Sequence, residues 1–170
     1  VVHDVPWCKE WAESEGFTYA ASVKEAAQGA DFITIHTGLG APDPNTEKFA
    51  NENIIDGEVL NSLNDGAVVV NYDRGELINA QALDDALASG KVRYAAIDTD
   101  MFKNPETGEI TGPVAPYIDL EKKYRGRMEL LPHAAADTEH SSRVEGAKQA
   151  VDQIMRVIQC KEVVNLKKFQ

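Results

Sequence analysis

Five points along this 170-residue sequence place chemically capable side chains just past an apolar run. They are Asp4, His36 with Thr37, Asp73 with Arg74, Asp98 with Asp100, and His133. A guanidinium presents a planar fork of donors that matches a carboxylate through two parallel hydrogen bonds, which an ammonium cannot do. An imidazole titrates near neutrality and can give or take a proton. Carboxylates accept hydrogen bonds from hydroxyl and amide donors. Singly, each is an ordinary polar residue where a strand meets a wet loop. Jointly, an arginine and a histidine converging on one edge of one sheet point to an active site.

Other chemistry is disfavoured by composition. The two cysteines, Cys8 and Cys160, cannot form a disulfide framework, which favours a reducing, cytoplasmic setting. No pair of Cys or His has zinc-ligand spacing, so no metal site is expected. Lys plus Arg number 17 against 28 Asp plus Glu, a net charge of −11, which argues against nucleic acid and anionic membranes as partners. Apolar runs such as Ala67-Val68-Val69-Val70 are far too short to span a bilayer. The 43% hydrophobic content suits one domain with a real core.

The elements that must position these residues alternate along the chain. Short β-type runs at 1–3, 17–20, 31–36, 66–72, 92–97 and 129–131 read as strands. Between them, residues 8–15, 23–28, 54–63 and 81–89 read as helices, the second capped by Ser22 and ended by Gly29, the fourth ended by Gly90. A last, long helix covers about 139–159, with Val144, Val151 and Ile158 expected to face inward. This alternation predicts an α/β fold, a doubly wound parallel sheet of Rossmann-like type with helices on both faces. Ligands of such sheets bind at the carboxyl ends of the strands, where the five points lie. Residues 98–127 read as irregular, and the basic run 121–127 as a solvated loop.

Asp4 follows the first strand where a dinucleotide fold places the acid that bonds the adenine ribose hydroxyls, which favours NAD over NADP. The Gly-x-Gly-x-x-Gly phosphate fingerprint is not met. Gly38-Leu39-Gly40 begins like it but continues Ala41-Pro42-Asp43. The fingerprint is therefore expected upstream of Val1, the fold truncated at its N-terminal strand–helix unit. The opening Val1-Val2-His3-Asp4, with neither Met nor leader, reads as the interior of a longer protein.

Five separated blocks carry a resemblance. Asn71-Tyr72-Asp73-Arg74-Gly75-Glu76-Leu77-Ile78, then Ala82-Leu83 with Ala86-Leu87-Ala88-Ser89-Gly90-Lys91, then Ala95-Ala96-Ile97-Asp98, flanked by Ala30-Asp31-Phe32-Ile33-Thr34-Ile35-His36 and Leu131-Pro132-His133, resemble the NAD-dependent D-2-hydroxyacid dehydrogenases. The phosphoglycerate and glycerate dehydrogenase branch, with its place in serine biosynthesis, is most similar. The resemblance implies that Arg74 holds the substrate carboxylate and carbonyl oxygen, and that His133 is the acid/base. It places Asp98 at the nicotinamide carboxamide, and His36, Thr37 and Asp73 beside the cofactor. It also implies a 2-hydroxy/2-keto acid substrate and a homodimer. Residues 1–158 would be a partial NAD-binding domain, and 159–170 a tail returning to an absent substrate domain, so that this piece alone is inactive. At the family's glutamate position stands Lys103, with Asp100 and Glu106 the nearby carboxylates able to serve a histidine. An alternative within the same fold is an NAD-sensing, corepressor-like dimerisation module without a catalytic role.

Overall fold

Helix starts and stops obey the short polar residues and glycines that punctuate the sequence. Ser22 Oγ accepts the N–H of Glu25 at 3.1 Å and opens α2, Val23–Ala27. Asp56 accepts from Val59 and opens α3, Gly57–Ser62, and Asn79 accepts from Ala82 and opens α4, Ala80–Ser89. Gly90, at φ +80°, ends α4 in the left-handed conformation that a side chain resists. The computed structural model describes residues 1–131 and 140–161, the latter without the side chains of 140–143. These residues fall into two compact units, Val1–His133 and Ala134–Gln170.

The first unit is built on a four-stranded, wholly parallel sheet. Its strands are β1 (Phe32–Ile35), β2 (Ala67–Asn71), β3 (Val92–Asp98) and, numbered after a small hairpin, β6 (Met128–Leu131), in the spatial order β1-β2-β3-β6. Each crossover between neighbouring strands carries a helix: α3, then α4, then α5 (Ala115–Lys123). α2 packs on α3, α3 on α4, and α4 on β3 and α5, while α5 reaches β6. Their apolar faces close over one core containing Val59, Leu60, Leu83, Leu87, Val69 and Ile97. This is the Rossmann-like parallel sheet that the alternation predicts.

Several expectations need correction. Residues 1–3 and 17–20 do not form full strands; they meet in one parallel bridge, Val2 with Tyr19. The run in β2 suggested burial on both faces, yet burial alternates, with Ala67, Val69 and Asn71 buried and Val68 and Val70 half-buried. Residues 98–127 are not irregular. They hold an antiparallel hairpin of β4 (Phe102–Lys103) and β5 (Ile110–Thr111), followed by α5. Pro116 lies in the first turn of α5, where a missing N–H costs nothing, so this proline starts a helix rather than breaking one. Nor is the basic run a solvated loop. Lys123 pairs with Asp84, and Arg127 Nη2 donates to the carbonyls of Leu87 and Val92 at 2.8 and 3.0 Å, closing the end of α4.

The second unit contributes α6, His140–Ile158. Val144, Val151 and Ile158 are exposed rather than facing a core, Ile158 to 68%. Among the described residues of this unit there is no second layer on which the helix could bury its stripe. The first unit also holds two 3₁₀ turns, Pro6–Cys8 and Gly75–Leu77, and α1, Lys9–Ser14, which packs on the first of them. No helix among the described residues is long and apolar enough to cross a membrane. The tail at 162–170 lies outside the described residues.

Candidate active site

Because β1, β2, β3 and β6 are parallel, their carboxyl ends share one edge of the sheet. Ile35, Asn71 and Ile97 stand in register there, and Asp98 is opposite Leu131. His36 with Thr37, Asp73 with Arg74, and Asp98 with Asp100 therefore leave neighbouring strands side by side, as the sequence implied. β6 ends at Leu131, two residues before His133, which lies outside the described residues.

The turn that presents Arg74 is held from three directions. Asn71, fully buried, donates from Nδ2 to the Arg74 carbonyl at 2.7 Å and accepts the Asp73 N–H on Oδ1 at 3.0 Å. Thr99, just past β3, accepts the Gly75 N–H at 3.1 Å. The Tyr117 hydroxyl, from α5, reaches the carbonyls of Gly75 and Ile78 at 2.6 and 2.7 Å. Burial, reinforced by the Glu76 charge, pushes the Tyr117 phenol well above its ordinary pKa, so it remains a donor throughout the physiological range. Gly75 is required by space: a Cβ there would lie 2.6 Å from Thr99 Oγ1 and 2.9 Å from the Pro113 carbonyl oxygen.

The Arg74 side chain projects from this fixed turn and is about half exposed (48%). Its Nη1 donates to Asp100 Oδ2 at 2.8 Å, and its Nε lies 3.9 Å from Asp73 Oδ1. Asp98 is buried, at 5% exposure. Of the residues around the family's glutamate position, Asp100 lies on Arg74, Lys103 is on exposed β4, and Glu106 sits in the hairpin turn with its N–H on Asn104 Oδ1.

At the other side of this edge, His36 Nε2 is 2.7 Å from Thr34 Oγ1, and its ring stacks on Tyr72 with centroids 6.1 Å apart and planes 15° apart. A cleft of about 700 Å³ is lined by Ile33, His36 and Thr37 of β1 and the residues after it, and by an N-terminal wall that includes Val2, Asp4 and Pro6. β1 is the edge of the sheet on this side, so the cleft separates its strand edge from the bridged pair at Val2 and Tyr19. Tyr19 and His3 brace that wall: the Tyr19 hydroxyl donates to the Asp4 carbonyl, and His3 Nδ1 pairs with the Ala20 carbonyl at 2.9 Å. Asp4 Oδ1 accepts the Val5 N–H at 2.7 Å. Gly38 and Gly40 open no helix; the next helix begins at Gly57. No group of residues able to hold a metal ion occurs among the described residues.

Asn71, Thr99, Tyr72 and Tyr117 were not singled out in the sequence. A buried-type strand ending in Asn before an Asp-Arg turn was the available signal for Asn71. Nothing local marks Tyr117, 42 residues from Gly75.

Known proteins resemble this chain across most of its length. The family profile of the D-isomer specific 2-hydroxyacid dehydrogenase NAD binding domain matches residues 3–117. The chain is 32% identical, over 161 residues, to the D-3-phosphoglycerate dehydrogenase of Methanocaldococcus jannaschii, a match covering 93% of this chain and 27% of that protein. It is 39% identical over 102 residues to the D-2-hydroxyacid dehydrogenase (NAD(+)) of Clostridioides difficile, covering 56% of this chain and 28% of that protein. Among solved structures, the D-lactate dehydrogenase with NAD+ from Lactobacillus jensenii superposes with a TM-score of 0.62 at 20% identity, over 98% of this chain and 47% of that one. The NAD-complexed D-isomer specific 2-hydroxyacid dehydrogenase from Lactobacillus delbrueckii ssp. bulgaricus gives 0.61 at 25% identity, with the same coverage of 98% and 47%. The chain thus spans less than half the length of these relatives.

Proposed function

The chain belongs to the D-isomer specific 2-hydroxyacid dehydrogenases, over the NAD-binding domain of that family, and from that premise we propose that the protein of which it is part interconverts a small D-2-hydroxy acid and its 2-keto acid. The observation that carries this reading is Arg74, offered to solvent from a turn pinned by Asn71, Thr99 and Tyr117 at the carboxyl edge of the sheet. A ligand there meets a donor fork whose backbone need not reorganise.

The residues present fit the dinucleotide in part. The 700 Å³ cleft is of the size of a cofactor pocket and has a carboxylate, Asp4, on one wall and His36 and Thr37 on the other. Asp4 suits the ribose hydroxyls and repels a 2′-phosphate, which agrees with NAD. His36, Thr37, Asp73 and Asp98 are the further cofactor-side residues of this proposal, Asp98 toward the carboxamide. A strand and glycine-rich turn preceding residue 1 would pair with the open edge of β1 at this cleft and supply the pyrophosphate cradle, making 1–158 part of the NAD-binding domain and 159–170 the return to a substrate domain. NAD, when bound, accepts or donates the hydride.

The chain's own residues supply the rest. Arg74 binds the substrate carboxylate and draws electron density from the C2 carbonyl as it becomes an alkoxide. His133 gives that oxygen its proton in reduction and removes it in oxidation. 3-Phosphoglycerate and glycerate are the acids this reading favours, in a cytoplasmic homodimer. The test is NADH oxidation by the complete protein with a panel of 2-keto acids. Arg74→Ala is expected to lose about 2–4 kcal/mol of transition-state binding, the scale of a charged hydrogen bond with its partner stranded. His133→Asn should lower turnover by about 10²–10⁴ while NADH affinity holds. Wild-type rates in both variants would remove these residues from the mechanism.

A further inference from the structure

We propose that Asp100 is a positioning residue for Arg74, holding its guanidinium in the orientation that receives the substrate carboxylate. This rests on the reading above that Arg74 binds that carboxylate. The ion pair is short, 2.8 Å from Nη1 to Oδ2, and joins residues 26 apart that leave adjacent strands. Both backbones are tied to the same framework. Thr99 Oγ1 accepts the Gly75 N–H, and the Asp100 carbonyl accepts the Val114 N–H at 3.2 Å, so the turn after β2 and the extension of β3 cannot drift apart independently. Asp73 stands 3.9 Å from Nε. Asp100 on Nη1 and Asp73 near Nε thus fix the plane of a guanidinium that is still about half exposed to a ligand.

The side chains of the pair are 48% and 32% exposed, and an ion pair in that setting adds little to folding stability. An arginine, in contrast, has a flexible stem whose freedom a ligand would otherwise have to quench on binding. Asp100 quenches it beforehand. The same carboxylate also offsets the charge of Arg74, which by itself would weaken anion binding, so the sign of the mutant effect decides between orientation and competition.

The test uses the complete protein saturated with NADH and oxamate as probe, a carboxylate beside a carbonyl, with affinity read by calorimetry. Asp100→Ala should weaken oxamate binding about tenfold, the size of one lost orienting contact, with NADH affinity and melting temperature unchanged. Asp100→Asn, which keeps an acceptor oxygen without the charge, should restore most of the affinity. The Arg74→Ala/Asp100→Ala double variant should bind no worse than Arg74→Ala alone, because the proposed action of Asp100 on the ligand passes through Arg74. Unchanged or tighter oxamate binding in Asp100→Ala, with Arg74→Ala impaired, would overturn the role of Asp100 and leave that of Arg74 standing. Unimpaired binding in Arg74→Ala, or none in the wild type, would overturn both.

Discussion

Gly75 shows how little room surrounds the arginine turn. Any side chain there must displace Thr99 and the Pro113 backbone, and backbone does not yield as a flexible side chain does. Gly75→Ala is therefore expected to cost about 1–3 kcal/mol, the usual penalty of overpacking, seen as a lower melting temperature. Tyr117→Phe removes the hydroxyl that serves the buried carbonyls of Gly75 and Ile78, and about 1–3 kcal/mol should go with it. The pH dependence of this bolt has a defined sign. The folded state holds the Tyr117 proton more tightly than the unfolded chain does, so its contribution is complete below about pH 10 and declines as the pH rises beyond. Wild-type protein should lose stability in that range by more than Tyr117→Phe does. Arg74 stands out in the sequence because its side-chain type suits a carboxylate. Tyr117 does not, because its partner is distant along the chain.

Where α4 meets α5, one carboxylate receives two donors. Asp84 Oδ1 accepts from Lys123 Nζ at 2.6 Å and from the Tyr124 hydroxyl, and the Tyr124 ring lies beneath the Arg127 guanidinium. The hydrogen bond from Lys123, then that from Tyr124, holds the Asp84 carboxyl below the ordinary aspartate range. A carboxylate with a lowered pKa stabilises the fold above its unfolded value, and that contribution is lost as the pH falls through the folded one. Lys123→Met should raise the Asp84 titration midpoint toward the usual value of about 4, read from its carboxyl carbon resonance. The variant should also show a smaller loss of stability below pH 4 than the wild type. An unmoved midpoint would mean that Lys123 does not engage Asp84 in solution. As a string of letters, 121–127 is merely a cluster of charges. It becomes a clasp because α5 places Lys123 and Tyr124 over α4.

At the scale of the molecule, the cleft between Asp4 and His36 governs what the 170 residues can do alone. It leaves the outer edge of β1 without a strand partner among the described residues, and no helix N-terminus of the first unit follows a glycine-rich turn at a strand end. This chain by itself should therefore bind NADH far more weakly than the complete protein, and should tend to self-associate through the open strand edge. Calorimetry with NADH and a sedimentation run check both. Micromolar NADH binding by a monomer would show that the cleft is not the dinucleotide site.

The sequence by itself determined the α/β class, the caps at Ser22 and Gly90, the strands at Phe32–Ile35 and Ala67–Asn71, and the placement of His36, Asp73, Arg74, Asp98 and Asp100 at the carboxyl edge. All of these follow from local periodicity and from side chains that act on their own backbone within a few residues. The same sequence misread 98–127, because a proline is a breaker or a helix starter according to where the first turn falls. Only the tertiary structure decided that Asp100 lies on Arg74, that Thr99 and Tyr117 bolt Gly75, and that a cleft separates Asp4 from His36. Those are contacts between elements remote in the chain. Their geometry depends on strand order and register, which no window of neighbouring residues contains.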